Sequence, residues 1–189
     1  NENGLFLEDR GRTERCRLKV TADPGDIGPC DVLFLCVKAN AVASALAHIT
    51  PLLSRETLLI AMQNGIGHLD TIEGAACITA VAVTSEGATL IKTGHVRHGG
   101  SGVTRIGLMR AGNASALKSM EETTRLLNEA GMQSAITDHP LRHIWAKLFV
   151  NVGINALTAI HRRTNGQLLT SKPIRAQMRK AVREAELVA

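Results

Sequence analysis

The amino-acid sequence predicts an α/β protein: a sheet-forming part over residues 1–137, then an all-helical part over residues 138–189. Three observations predict it. Short apolar runs at 31–37, 57–62 and 77–84 alternate with helix-length segments, the rhythm of a βαβ sheet. Strand patterns stop before Asp138. From Pro140 onward, apolar residues recur at helical spacing instead.

Taken in order, residues 1–20 read as a loop or hairpin leading into a strand, with Gly11 at the turn. Asp23-Pro24-Gly25 and Gly28-Pro29 punctuate the loop that follows. The run VLFLCV at 32–37 is apolar throughout, as a strand buried on both faces requires, and Lys38 follows at its carboxyl end. Ligands of open α/β sheets bind beyond such ends, so Lys38 is either a surface lysine or a site residue. A helix is expected over 41–53, closing at Pro51 and the leucines after it. Residues 57–62 form a second buried strand, QNGIG at 63–67 its carboxyl-end loop, and 68–73 a short helix. Residues 77–84 form a third strand, and 89–98 with 103–109 are expected as an antiparallel addition to the same sheet.

Asn113 caps a helix over 114–130 that Gly131 ends. After a short strand at 133–137, Asp138 and Pro140 open the long helix. Asn165-Gly166 is expected to end that helix. Ser171 and Pro173 begin another, which runs to Ala189 without a capping signal.

Composition narrows the function classes. The chain has 189 residues, 44% of them hydrophobic, enough to bury a core and to read as a soluble globular protein. A formal charge of +5 suits a phosphate-bearing partner. Three Phe, one Trp and no Tyr leave few platforms for base stacking, so nucleic acid is not an expected partner. The basic residues near the end, Arg162 to Arg183, read as a solvated helix face. The longest apolar runs are far too short to cross a bilayer, and the polar, acidic opening carries no signal-peptide pattern. Cys16, Cys30, Cys36 and Cys77 show no CxxC spacing and read as reduced thiols, Cys36 as a small hydrophobe inside a strand. The expected location is therefore cytoplasmic. The His residues are scattered without an HExxH pattern, so no metal is expected. A first residue of Asn rather than Met suggests a fragment.

The long helical segment carries the chemistry. Lys147, Asn151 and Asn155 follow one another at steps of four, while Ile144, Trp145, Leu148, Phe149, Val152 and Leu157 supply an apolar side. A step of four returns within about 40°, so the three polar residues form a stripe roughly 12 Å long. One ammonium and two carboxamides in line suit a small, oxygen-rich anion. A solvated face shows the same spacing, although such faces are richer in Glu and Lys and Asn is a mediocre helix former. Reducing a 2-keto acid creates an alkoxide that needs a proton and positive charge, and Lys147 supplies both if partial burial or a cation such as protonated His143 lowers its pKa. Asn64 before Gly65 equally suits a turn with positive φ. Asn165 suits a helix C-terminus, and Gly87-Ala88 a generic turn.

KLFVNVGINALTAI, with TNGQL downstream and VKA and QNGIG upstream, gives four separated motifs in one order. Together they resemble the ketopantoate reductase (2-dehydropantoate 2-reductase) family over nearly the whole chain. The resemblance implies a Rossmann-like dinucleotide-binding domain at 1–137 and a helical substrate and catalytic domain at 138–189. No GxGxxG is present, because Gly65-Ile66-Gly67 and Gly100-Ser101-Gly102 lack the third glycine, so the first βα unit is expected to be missing. The implied reaction is NADPH-dependent reduction of 2-dehydropantoate to pantoate, on the route to pantothenate and coenzyme A. The alternatives are a paralogue acting on another small 2-keto acid, or an NADP-binding relative without turnover. The resemblance implies Lys147 as general acid. It implies substrate binding by Asn64, Asn151, Asn155 and Asn165, and cofactor binding by Lys38, Asn64 and Ala88. Two positions depart from the family pattern: Ala156 stands where Pro is usual, and Gln167 where Glu is usual, which removes a charge near the expected pocket. A homodimer is compatible with the chain but is not legible in it.

Overall fold

Arg10 and Gly11 both take left-handed backbone angles, φ 48° and 77°, the two-residue turn that matches hairpin twist. They join β1 (Leu5–Asp9) to β2 (Arg12–Cys16) in a computed structural model that describes residues 4–189. Residues 1–3, counted into the opening loop from sequence, lie outside the described residues. β3 (Val32–Leu35), β4 (Leu58–Ala61) and β5 (Ile78–Thr84) follow, all parallel, with α1 (Val42–His48) and α2 (Leu69–Glu73) in their connections. β6 (Gly87–Lys92) and β7 (His95–Gly100) form a second hairpin. β8 (Thr104–Leu108) runs antiparallel to β5, and after α3 (Ala114–Glu129) β9 (Ser134–Ile136) lies parallel to β8.

The main sheet has the order β3-β4-β5-β8-β9. Its core is Leu58, Ile60, Ala80, Ala82 and Ile106 with Met120 of α3. All four residues of β4 are buried, as a central parallel strand requires. β3 departs from the expectation of burial on both faces. It lies, like β9, at an edge of the sheet that the described residues form, and Phe34 is 40% exposed. Cys36 lies exposed beyond the end of β3 instead of inside a strand, and all four cysteines are free. The helix expected over 41–53 is one α-helical stretch, α1, between two 3-10 turns at Ala39–Ala41 and Thr50–Leu52.

The stretch expected to extend this sheet is divided between two. β8 joins it, whereas β6 and β7 belong to a second sheet of order β2-β1-β7-β6. The backbone changes sheets where Ser85 meets Gly102. A Cβ on Gly102 would stand 2.5 Å from the Ser85 Cβ and 2.8 Å from its carbonyl, so only glycine fits. Alternation in sequence marks a strand but does not name the partner it pairs with, hence the misplacement. Asn113 caps α3 as expected, its Oδ1 accepting the Ala116 N–H at 2.9 Å.

Residues up to Gln63 with Gly67–Pro140 make one compact unit, and Asn64–Ile66 with Leu141–Ala189 make another. The second is helical: α4 (Pro140–His161), α5 (Asn165–Leu169) and α6 (Lys172–Glu186). α4 ends earlier than expected. Arg162 takes φ 50° and turns the chain, the role assigned from sequence to Asn165-Gly166. Asn165 instead opens α5. α6 ends at Glu186, before the end of the chain. α4 is 22 residues long and holds an 18-residue window of mean hydropathy 1.2, long and apolar enough to cross a bilayer by length and composition. It carries Lys147 near its middle, which at a bilayer centre costs about 2.5–3.5 kcal/mol.

Candidate functional site

Three parallel strands end on one edge of the main sheet, and each delivers one of the expected positions or its neighbour. β3 is followed by Cys36, Val37 and then Lys38, which is exposed and stands at the N-cap of the 3-10 turn Ala39–Ala41. β4 is followed by Met62 and Gln63. β5 is followed by Ser85 and Glu86, after which Gly87 and Ala88 open β6. Ala88 is an exposed strand residue paired with His98, not part of a generic turn.

Asn64 belongs to the helical unit. The segment Asn64–Ile66 leaves β4 and clusters with Leu141–Ala189. The positive backbone angle in this loop is carried by Gly65 at φ 87°, whereas Asn64 is absent from the non-glycine residues with positive φ. The turn therefore does not demand Asn at position 64, whose exposed carboxamide is left for other work.

α4 realises the expected stripe without interruption. Lys147 and Asn151 are half-buried and Asn155 is exposed. Burial lowers the Lys147 pKa below its ordinary value, the direction that makes the ammonium a better proton donor. On the apolar side Ile144 is buried, Trp145, Leu148, Phe149, Val152 and Leu157 are half-buried, and the Trp145 and Phe149 rings sit 5.8 Å apart at 37°. Gly153 is buried where α6 crosses. A Cβ there would meet Val182 Cγ2 at 3.3 Å.

Asn165 is exposed in the first turn of α5. The departure at Gln167 has a local explanation: its Oε1 accepts the Thr164 N–H at 3.0 Å, the reach-back contact of a capping box, which Gln and Glu both make. Lys147, Asn64, Asn151, Asn155 and Asn165 thus share the helical unit, and Lys38 and Ala88 belong to the sheet unit.

Sequence reading missed three features. Gln63 grips the exit of β3, its Nε2 donating to Leu35 O at 2.7 Å and Val37 O at 2.9 Å. His68, 3% exposed, holds an Nδ1 without a hydrogen-bond partner, and burial lowers its pKa. His98 is clasped between two carboxylates, Nδ1 to Asp9 Oδ1 at 2.8 Å and Nε2 to Glu86 Oε2 at 2.7 Å. Gln63 left a faint signal, an amide at a strand end. The His98 cluster left none, because it needs β1 beside β7 across 89 residues. Among the described residues no group of His, Cys, Asp and Glu could hold a metal ion.

Comparison with known proteins agrees with this layout. The family model described as ketopantoate reductase PanE/ApbA matches residues 1–111, and the model of that family's C-terminal part matches residues 140–189. The chain is 33% identical to the 2-dehydropantoate 2-reductase of Halobacterium salinarum, over 100% of this chain and 62% of that protein. A PanE/ApbA-family ketopantoate reductase from Ralstonia eutropha JMP134 superposes with a TM-score of 0.85 at 28% identity, covering 100% of this chain and 61% of that one. A D-mandelate dehydrogenase in complex with NADH superposes with a TM-score of 0.74 at 26% identity, covering 82% of this chain and 52% of that one. The chain therefore spans less than two thirds of the relatives it matches. Its architecture is the Rossmann-like α/β part followed by a helical region that those structures share.

Proposed function

The chain belongs to the ketopantoate reductase (PanE/ApbA) family, and on that premise we propose that the whole protein reduces 2-dehydropantoate to pantoate with NADPH. The observation that carries the reading is Lys147. It is a half-buried lysine with a pKa lowered by burial, one turn from Asn151 and in the same unit as Asn64. The positive charge of Lys147 steadies the ketone oxygen as negative charge develops on it, and the ammonium then gives that oxygen the proton it requires, leaving a neutral amine. Asn64, Asn151, Asn155 and Asn165 offer carboxamide donors and acceptors for the hydroxyl and carboxylate oxygens of the substrate.

A nicotinamide dinucleotide suits the sheet unit. The exposed Lys38 at the carboxyl edge of three parallel strands is chemistry for a phosphate-bearing molecule, and the small Ala88 leaves room for close approach. Gln63 Oε1 is a buried acceptor with no hydrogen-bond partner among the described residues. When bound, the reduced nicotinamide supplies the hydride. Lys38, Asn64 and Ala88 are the residues that would hold it. In this reading residues 1–137 form the cofactor-binding part and 138–189 the substrate-binding and catalytic part, in a cytoplasmic homodimer.

Nicotinamide absorbance, followed with the full-length protein and a panel of 2-keto acids, tests the proposal. 2-Dehydropantoate should be consumed fastest, and NADPH should be used in preference to NADH. Faster turnover of a bulkier keto acid would make the protein a paralogous reductase, and binding of NADPH without turnover of any of them would make it a non-catalytic relative.

A further inference from the structure

The β3–β4 ladder stops at Leu35 opposite Ala61. Beyond that pair the two chains are still joined, by the Met62 N–H, which donates to Leu35 O at 3.1 Å, and by one side chain. The Gln63 carboxamide spends both of its N–H groups on β3's exit, one on Leu35 O at 2.7 Å and one on Val37 O at 2.9 Å. Reversing the amide would set Oε1 against two carbonyl oxygens, so the two acceptors fix its orientation. Oε1 is buried without a partner as a result. The side chain thus holds this arrangement at the cost of an unsatisfied acceptor.

The residue after Val37 is Lys38, whose own carbonyl accepts the Ala41 N–H at 2.9 Å. The backbone is therefore tied on both sides of Lys38, by Gln63 before it and by the 3-10 turn Ala39–Ala41 after it. A long lysine side chain loses much rotamer freedom on binding an anion, and a fixed backbone spares it further loss.

We propose that Gln63 is a positioning residue for the cofactor: its double hydrogen bond to the exit of β3 sets where the Lys38 ammonium stands on the sheet edge. This rests on the reading of Lys38 as a cofactor contact. In this proposal Gln63 acts through Lys38.

The test is a double-mutant cycle on the full-length protein, read as the NADPH dissociation constant from nicotinamide fluorescence, with no turnover needed. Gln63→Met keeps the length and loses both bonds. Gln63→His keeps one ring N–H and serves if the methionine variant does not fold. Lys38→Ala should weaken NADPH by about tenfold or more, and Gln63→Met by about fivefold, the scale of a lost or misplaced charged contact. In the Lys38→Ala background the Gln63 substitution should add less than about twofold, because its route is already gone. The histidine variant should fall between wild type and methionine. If Lys38→Ala weakens NADPH but the Gln63 effect is the same in both backgrounds, Gln63 is merely structural and the proposal fails. If Lys38→Ala leaves NADPH binding unchanged, the reading of Lys38 fails first and takes the proposal with it.

Discussion

Gln167 Oε1 lies 3.0 Å from the Thr164 backbone nitrogen and accepts its N–H, which fixes the start of α5 and with it Asn165. The residue is thus engaged in helix capping, and a Glu in its place would accept the same bond while adding a favourable charge at a helix N-terminus. Gln167→Glu should leave the melting temperature unchanged or slightly raised, and Gln167→Ala should cost about 0.5–2 kcal/mol by urea denaturation. A large loss of substrate affinity in Gln167→Glu with stability intact would place the side chain in the pocket instead.

Burial lowers the Lys147 pKa, and this fixes the direction of the pH dependence. A general acid works only while it holds its proton, so kcat/KM should fall as pH rises through the lowered value. The alkaline limb should therefore lie below the ordinary lysine value of 10.5. A pH–rate profile that stays flat up to that value would remove Lys147 from the proton-transfer step.

The cluster at Asp9, His98 and Glu86 makes the small sheet pH-sensitive. The hydrogen bond to Asp9, then that to Glu86, raises the His98 pKa above 6.5. The Gly102 N–H and then His98 lower that of Glu86 below 4.5. The other charges around the cluster are Arg10, 3.9 Å from Asp9, and Glu8 with Arg97 and His95 on the neighbouring strands. A raised histidine pKa contributes stability that is complete below the unfolded value and is lost as pH rises through the folded one. A lowered carboxylate pKa contributes stability that is complete above its unfolded value and is lost as pH falls through the folded one. Amide exchange in β1 and β7 should therefore be slowest in mildly acidic solution and should accelerate beyond its intrinsic rate toward alkaline pH. His98→Gln should flatten that dependence, and an unchanged profile in this variant would assign the sensitivity elsewhere.

Gly153 packs closely against α6: a Cβ there would stand 3.3 Å from Val182 Cγ2. Gly153→Val should cost about 1–3 kcal/mol through overfilling. Val182→Ala in the same chain should restore part of that. Urea midpoints of the two single variants and the double variant check both statements, and strict additivity would mean that the two residues do not meet.

Much of the molecule was legible because local chemistry and tertiary structure agree. The buried runs of β4 and β5, the Asn113 cap, the Gly11 turn and the helical spacing of Lys147, Asn151 and Asn155 are all written within a few residues. What failed depended on distant partners. Phe34 is 40% exposed in β3, which lies at an edge of the sheet the described residues form, and nothing in VLFL marks that position. β7 pairs with β1 and β6 with β7, not with β8, and the chain changes sheets where Gly102 passes against Ser85. At the end of α4 the commonest local rule misled, since Arg162 took the left-handed turn that Asn-Gly ordinarily supplies.

Steady-state kinetics of Lys147→Ala in the full-length protein, with 2-dehydropantoate and NADPH, test the central claim most directly. The account predicts that kcat falls by about 10²-fold or more while the NADPH dissociation constant stays within about twofold. Turnover like that of the wild type would contradict it.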